Sequence, residues 1–224
     1  MSAIKICGFT RAADAIAAAE YGADFLGLNF FERSPRFITA EAARALVAEV
    51  HAQHRCTRFV GIFVDEDPGR ILRIAETVNL CGAQLHGAEG RKAVERLKRA
   101  GLFVIKAHRI GSAADLAKVG GHRADAALLD AHVEGALGGT GTRFDWSLTG
   151  NASSNASLGP VFLAGGLTPD NVTEAIQTVR PWGVDVSSGV ESAPGIKDGE
   201  SMQRFITAAR ITFREQGDRD EQRP

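Results

Sequence analysis

"VFLAGGLTPDNVTEAIQTV", residues 161–179, holds one whole structural unit in a single stretch. Its opening run, VFLAGG (161–166), is apolar at nearly every position rather than at every second one. Strands read this way when both faces are covered, as in a parallel sheet; half-exposed strands alternate. Gly165 and Gly166 close the run. Thr168 and Pro169 then predict an N-cap and a first-turn proline for an amphipathic helix. Strand, glycine turn and capped helix make a βα unit, so the fold turns on how often that unit recurs.

Working outward, it recurs from end to end. Similar apolar runs are IKIC (4–7), FLGLNF (25–30), FVGIFV (59–64), GAQLH (82–86), LFVIKA (102–107), AALLD (126–130) and GVDVSSG (183–189). Helical stretches lie between them. RAADAIAAAEYGA ends at Gly22, TAEAARALVAEVHAQH starts on Thr39 as N-cap, and DPGRILRIAETVN starts on Asp67 and Pro68. FDWSLTGNASSNASLGP (144–160) reads as a short helix and then a Ser/Asn/Gly-rich loop. Eight strands, each with its helix, predict an α/β fold of one domain: a single (β/α)8 (TIM) barrel of eight parallel strands over residues 1–213. Residues 214–224 read as a polar, frayed tail. An open doubly wound sheet carries its glycine loop after the first strand; here the glycine-rich turns follow strands six, seven and eight.

The composition narrows the function classes. Net charge is -1 and the basic residues are scattered, so neither nucleic acid nor an anionic membrane surface is an expected partner. No apolar stretch reaches the length of a membrane span. The opening MSAIKICGFT lacks the regions of a signal peptide, which predicts a cytoplasmic protein. Cys7, Cys56 and Cys81 are unclustered and suggest neither a disulfide frame nor a metal site. The sequons at Asn151 and Asn155 read as loop composition. Oligomeric state stays open between monomer and homodimer.

In such a barrel the strand C-termini form the active face. Strand one ends at Cys7, strand four at His86, strand six at Asp130, and strand eight near Asp185 and Ser187. Cys7 is either a buried thiol serving as a small hydrophobe or, deprotonated, a base or nucleophile. Asp130 opens LLDAHVEGALGGTGTRFDW (128–146), where a long glycine loop rather than an immediate helix follows it. That weakens a capping role and favours a carboxyl acting as an acid. The glycines of GGTG (138–141), AGGLTPDN (164–171) and SSGVE (187–191) let backbone approach a ligand, and such turns bind phosphate. Arg36, in SPRF (34–37), is a solvated arginine or a clamp on a carboxylate. His86 is a polar core group or a substrate contact.

With these residues in view, the chain resembles the phosphoribosylanthranilate isomerase family of tryptophan biosynthesis. The matching segments are KICGFT (5–10), GLNFFERSPRFI (27–38), QLHG (84–87), LLDA (128–131), GGTGTRFDW (138–146), LAGGLTPDNV (163–172) and DVSSGVESAPGIKD (185–198). They run in family order over nearly the whole chain. The resemblance implies a barrel enzyme without metal or cofactor, with Cys7 as general base, Asp130 as general acid and Arg36 binding the substrate carboxylate. It implies that Asp185 orients the sugar, and that Gly139, Gly141, Gly165, Gly166, Ser188 and Gly189 surround the phosphate. The implied reaction is the Amadori rearrangement of N-(5-phospho-β-D-ribosyl)anthranilate to 1-(2-carboxyphenylamino)-1-deoxy-D-ribulose 5-phosphate, the third step from chorismate. Phe9 stands where a smaller aliphatic is commoner, and the insert after Trp146 is long. The alternatives are a related phosphosugar barrel or a non-catalytic barrel that binds a phosphorylated ligand. An enzyme of the indole-glycerol-phosphate synthase type needs a lysine acid, for which Lys106 lacks a Glu cluster in the sequence. The histidine-pathway isomerase needs a carboxylate in place of Cys7.

Overall fold

A computed structural model describes residues 2–116, 119–130, 146 and 159–221 of the chain. Its strands are β1 (Ala3–Cys7), β2 (Phe25–Asn29), β3 (Arg58–Phe63), β4 (Gly82–Leu85), β5 (Phe103–Arg109), β6 (Ala126–Asp130), β7 (Val161–Ala164) and β8 (Gly183–Val186). They pair in parallel in chain order, and β8 pairs back onto β1, closing the expected barrel. The helices are α1 (Ala12–Glu20), α2 (Ala40–Gln53), α3 (Pro68–Val78), α4 (Arg91–Arg99), α5 (Ala113–Leu116), α6 (Val172–Val179) and α7 (Gly199–Glu221). A short hairpin, β9 (Glu191–Ala193) with β10 (Ile196–Lys197), lies between β8 and α7.

Successive side chains on a strand point to opposite faces, so every second residue enters the barrel. On β1, Ile4 and Ile6 pack with the helix residues in the outer core, whereas Ala3 packs with the interior of the barrel. Lys5 and Cys7 continue the row that Ala3 begins. At the N-terminal end of the strands, Phe25, Val60, Ile105, Ala126 and Phe162 fill the interior. Phe25 stacks on Phe103 with centroids 5.9 Å apart and meets Phe162 edge-on at 6.1 Å. The same alternation delivers polar side chains to the other end.

Local signals explain most helix boundaries. Thr39 Oγ1 accepts from the amide of Ala42, and Asp67 Oδ1 accepts from the amide of Arg70 ahead of Pro68. Thr168 is a correction. Its amide donates to Asn171 Oδ1 at 2.8 Å, and Asn171 Nδ2 donates to the Gly166 carbonyl at 3.0 Å, which builds a turn instead of a cap. The helix therefore starts at Val172. α7 buries Met202, Phe205, Ile206 and Ala209, and it packs on α1 and α6. It also runs on past Arg214, so the stretch expected to fray is helical as far as Glu221. The strand-six glycine loop and the Asn/Ser-rich insert, with both sequons, lie outside the described residues. Trp146 is buried.

Candidate active site

Cys7 ends β1 at the barrel mouth, in register with Gly27 of β2. A β-carbon at residue 27 would stand 2.9 Å from Cys7 Sγ and 3.0 Å from Ile62 Cδ1, closer than packed atoms tolerate. The glycine thus makes room for the sulfur. Across the mouth, β6 ends on Asp130, and β8 presents Asp185 in register with Lys5. A cavity of about 500 Å³ opens here. Cys7, Asp130, Arg36, His86 and Asp185 line it, all of them expected from the sequence. So do Gly165, Gly166, Ser188 and Gly189, while Gly139 and Gly141 lie outside the described residues.

The glycine turns are built for close approach. Gly165 and Gly166 have φ of +89° and +64°, the left-handed region that side chains disfavour. A β-carbon on Gly189 would fall 1.8 Å from the Leu167 carbonyl oxygen. Only glycine there lets the turn after β8, Ser188–Val190, press against the turn after β7.

Behind the thiol sits a set of buried charges that sequence reading did not single out. Lys5 is fully buried, and its Nζ contacts Asp185 Oδ1 at 2.9 Å. Lys197 of β10 donates from Nζ to the Cys7 carbonyl and to Glu191 Oε1, the latter at 2.8 Å. Its charge stands 5.5 Å from the centre of the Phe9 ring, which gives the large residue at position 9 a partner. Arg36 grips Glu191 along one edge of its fork, through Nε at 2.9 Å and Nη2 at 2.6 Å. Arg36 also lines the cavity, and none of its side-chain hydrogen bonds among the described residues uses Nη1.

Lys106 has a single carboxylate partner among the described residues and not a cluster. Glu89, which no sequence pattern tied to it, meets its Nζ at 2.9 Å, and the Gly87 carbonyl accepts from it at 2.6 Å. It lines a separate hollow beside His86 rather than the main cavity. No lysine lines the main cavity among the described residues, so the lysine acid of the alternative barrel has no seat there. Asn29, Gln84 and Arg109 do line it. Strand alternation from Phe25, from Gly82 and from Ile105 would have found them.

Electrostatics fix the resting state. Burial pushes the Cys7 thiol above its ordinary value, Lys5 and then Lys197 pull it back in part, and Asp185 adds to the rise. Burial also pushes Asp185 up, against the pull of Lys5. Burial would lower Lys5, but Asp185 and then Cys7 outweigh it and the ammonium holds its proton more tightly than usual. Burial would raise Glu191, but the hydrogen bonds from Arg36 and Lys197 hold it below the usual carboxylate range. His86 is depressed to about 4 by burial first and by the charges of Lys5 and Lys106 next. It is neutral near pH 7, and its Nε2 pairs with the Gln84 side-chain amide.

The model of the family "N-(5'phosphoribosyl)anthranilate (PRA) isomerase" matches residues 4–208. The chain belongs to the N-(5'-phosphoribosyl)anthranilate isomerase family. A family relative from Rubrobacter xylanophilus is 45% identical over 211 residues, which cover 94% of this chain and 100% of the relative. The solved phosphoribosyl anthranilate isomerase of Thermotoga maritima is 39% identical with a TM-score of 0.86, covering 94% of this chain and 100% of its own. A solved isomerase in complex with reduced 1-(o-carboxyphenylamino)-1-deoxyribulose 5-phosphate is 37% identical with a TM-score of 0.82, at 94% and 100% coverage. The chain is accordingly an isomerase of tryptophan biosynthesis that acts on a small phosphorylated substrate. Among the described residues no helix is long and apolar enough to cross a membrane.

Proposed function

We propose that Cys7 and Asp130 are the base and acid of the isomerisation. The observation that carries this is their placement on one cavity, a thiol from β1 and a carboxyl from β6, with Arg36 and the glycine turns on the same wall. Asp130 gives its proton to the furanose ring oxygen as the C1–O bond breaks. The anilino nitrogen lends its lone pair, and the ring opens to an iminium. This cation acidifies the C2 hydrogen. The Cys7 thiolate takes that proton, the C–H electrons form the C1–C2 double bond, and the iminium becomes a neutral enamine. A proton returns to C1 as the C2 hydroxyl gives up its own, and the neutral ketose results. Charge is annihilated in the step, since thiolate and iminium both become neutral, and a buried site favours it for that reason.

The remaining groups position the substrate. The Nη1 edge of Arg36 suits the anthranilate carboxylate, a part of the molecule that does not react. Backbone amides at Gly165, Gly166, Ser188 and Gly189 suit the phosphate, and Gly139 and Gly141 would complete that site. Asp185, with Oδ1 on Lys5, and neutral His86 suit the ribose hydroxyls. No step asks for a metal or a nicotinamide. The enzyme works in the cytoplasm as a monomer or homodimer. Ile196 and Ile211 are its exposed large hydrophobics among the described residues, too few for an extensive apolar interface there.

Loss of anthranilate-type fluorescence on conversion of phosphoribosylanthranilate follows the reaction. Cys7→Ser and Asp130→Asn should each lower kcat by roughly 10²–10⁴, the scale of one positioned proton-transfer group. Turnover near the parent's in either variant would remove that residue from its role.

A further inference from the structure

Lys5 is wholly buried in the barrel, and none of the steps above uses it. A lysine is seldom buried unless something holds its charge. Asp185 Oδ1 does so at 2.9 Å, across the β1–β8 seam where residues 5 and 185 share register. Two residues along the same strand face lies Cys7, so the ammonium and the sulfur share the inward row of β1 and their charges couple.

The charged groups around the sulfur divide cleanly. Lys5 comes from its own strand, Asp185 from β8, Lys197 from β10 and Arg36 from the segment after β2, with Asp130 on the far wall of the cavity. Lys197 and Arg36 both give hydrogen bonds to Glu191, and Lys197 also bonds the carbonyl of Cys7. Lys5 lies on the same strand face as the sulfur, with its charge held by Asp185, and it opposes the effect of burial more than any other group does.

We infer that Lys5 is a positioning residue for the reaction: its ammonium, anchored by Asp185, is the counter-charge that makes the Cys7 thiolate attainable in a buried site and orients that base toward the cavity. The inference rests on the reading of Cys7 as base. Asp185 keeps the proton on Lys5, so the lysine is a fixed counter-charge and not a proton donor. When the sulfur takes the C2 proton, the ammonium and carboxylate stay paired and the seat is ready for the next turnover.

The test reads the thiolate directly. In a Cys56→Ser/Cys81→Ser background, ultraviolet absorbance of the remaining thiolate is titrated against pH. Lys5→Met should raise the Cys7 midpoint by about one pH unit, roughly tenfold less thiolate at a given pH below it. The acid limb of the kcat profile should move up by the same amount. Lys5→Arg, which keeps the charge, should restore most of the midpoint. The paired variant Lys5→Met/Asp185→Asn removes both charges and leaves none buried alone, so it covers the case in which Lys5→Met does not fold; its midpoint should rise as well. An unmoved midpoint in Lys5→Met or in the paired variant would overturn the inference, as would Lys5→Arg behaving like Lys5→Met. Turnover in Cys7→Ser is the separate measure of the base itself: near-normal kcat there sinks the base reading, whereas the midpoint shift speaks only to Lys5.

Discussion

The two ends of the barrel interior are made by the same strands, yet they share almost no chemistry. At the N-terminal end Phe25, Phe103 and Phe162 pack ring on ring among Val60, Ile105 and Ala126. At the C-terminal end the same inward rows finish on Cys7, Asn29, Gln84, Arg109, Asp130 and Asp185. One step of two residues along β6, from Leu128 to Asp130, passes from one regime to the other. Division of labour follows from energetics. Buried charges are costly to assemble even when paired, and the aromatic floor supplies apolar burial that offsets them. A barrel with a polar interior throughout would lack that compensation.

The largest effect that would sharpen this contrast is at the floor. Phe162→Ala should cost about 3–5 kcal/mol of stability, read as a lowered urea midpoint, while KM under folding conditions stays close to the parent's. If KM rose before stability fell, the two ends would not be separable. Next comes a purely local effect at the mouth. Arg36→Ala should raise KM roughly 10–100-fold, the worth of charge-assisted hydrogen bonds to a carboxylate, with kcat changed far less. An unchanged KM would refute the clamp.

The smallest effect is on pH. His86 is depressed to about 4 in the fold, below its ordinary 6.5, and His108 likewise to about 4. The unfolded chain therefore binds more protons than the folded one between these values, so stability falls as pH drops from about 6.5 toward 4. His86→Gln should flatten part of that slope in denaturation curves taken across the range. An undiminished slope would mean that other groups carry it.

Most of this architecture can be read from the chain alone, for physical reasons. Each strand is a buried apolar run, so all eight announce themselves, and whatever polar residue ends such a run stands out. Cys7, His86, Asp130 and Asp185 were visible on that ground, and Arg36 and the glycine turns by their chemistry. Lys5, Glu191 and Lys197 were not, because their meaning lies in partners far along the chain. Lys5 and Asp185 become neighbours only when β8 closes on β1. Glu89 sits in a plain polar loop, and nothing short of the fold ties it to Lys106. Thr168 misled because Asn171, three residues on, competes for its amide.

The hairpin between β8 and α7 ties β1 to a residue 190 positions along the chain, since Lys197 bonds the carbonyl of Cys7. During synthesis Cys7 leaves the ribosome 190 residues ahead of Lys197. Over that interval the thiol stands without the cation behind its peptide and, until β8 emerges, without the carboxylate opposite Lys5. A segment that ends between β8 and this hairpin therefore lacks the Lys197 contact to the Cys7 peptide, though it already holds the Lys5–Asp185 pair.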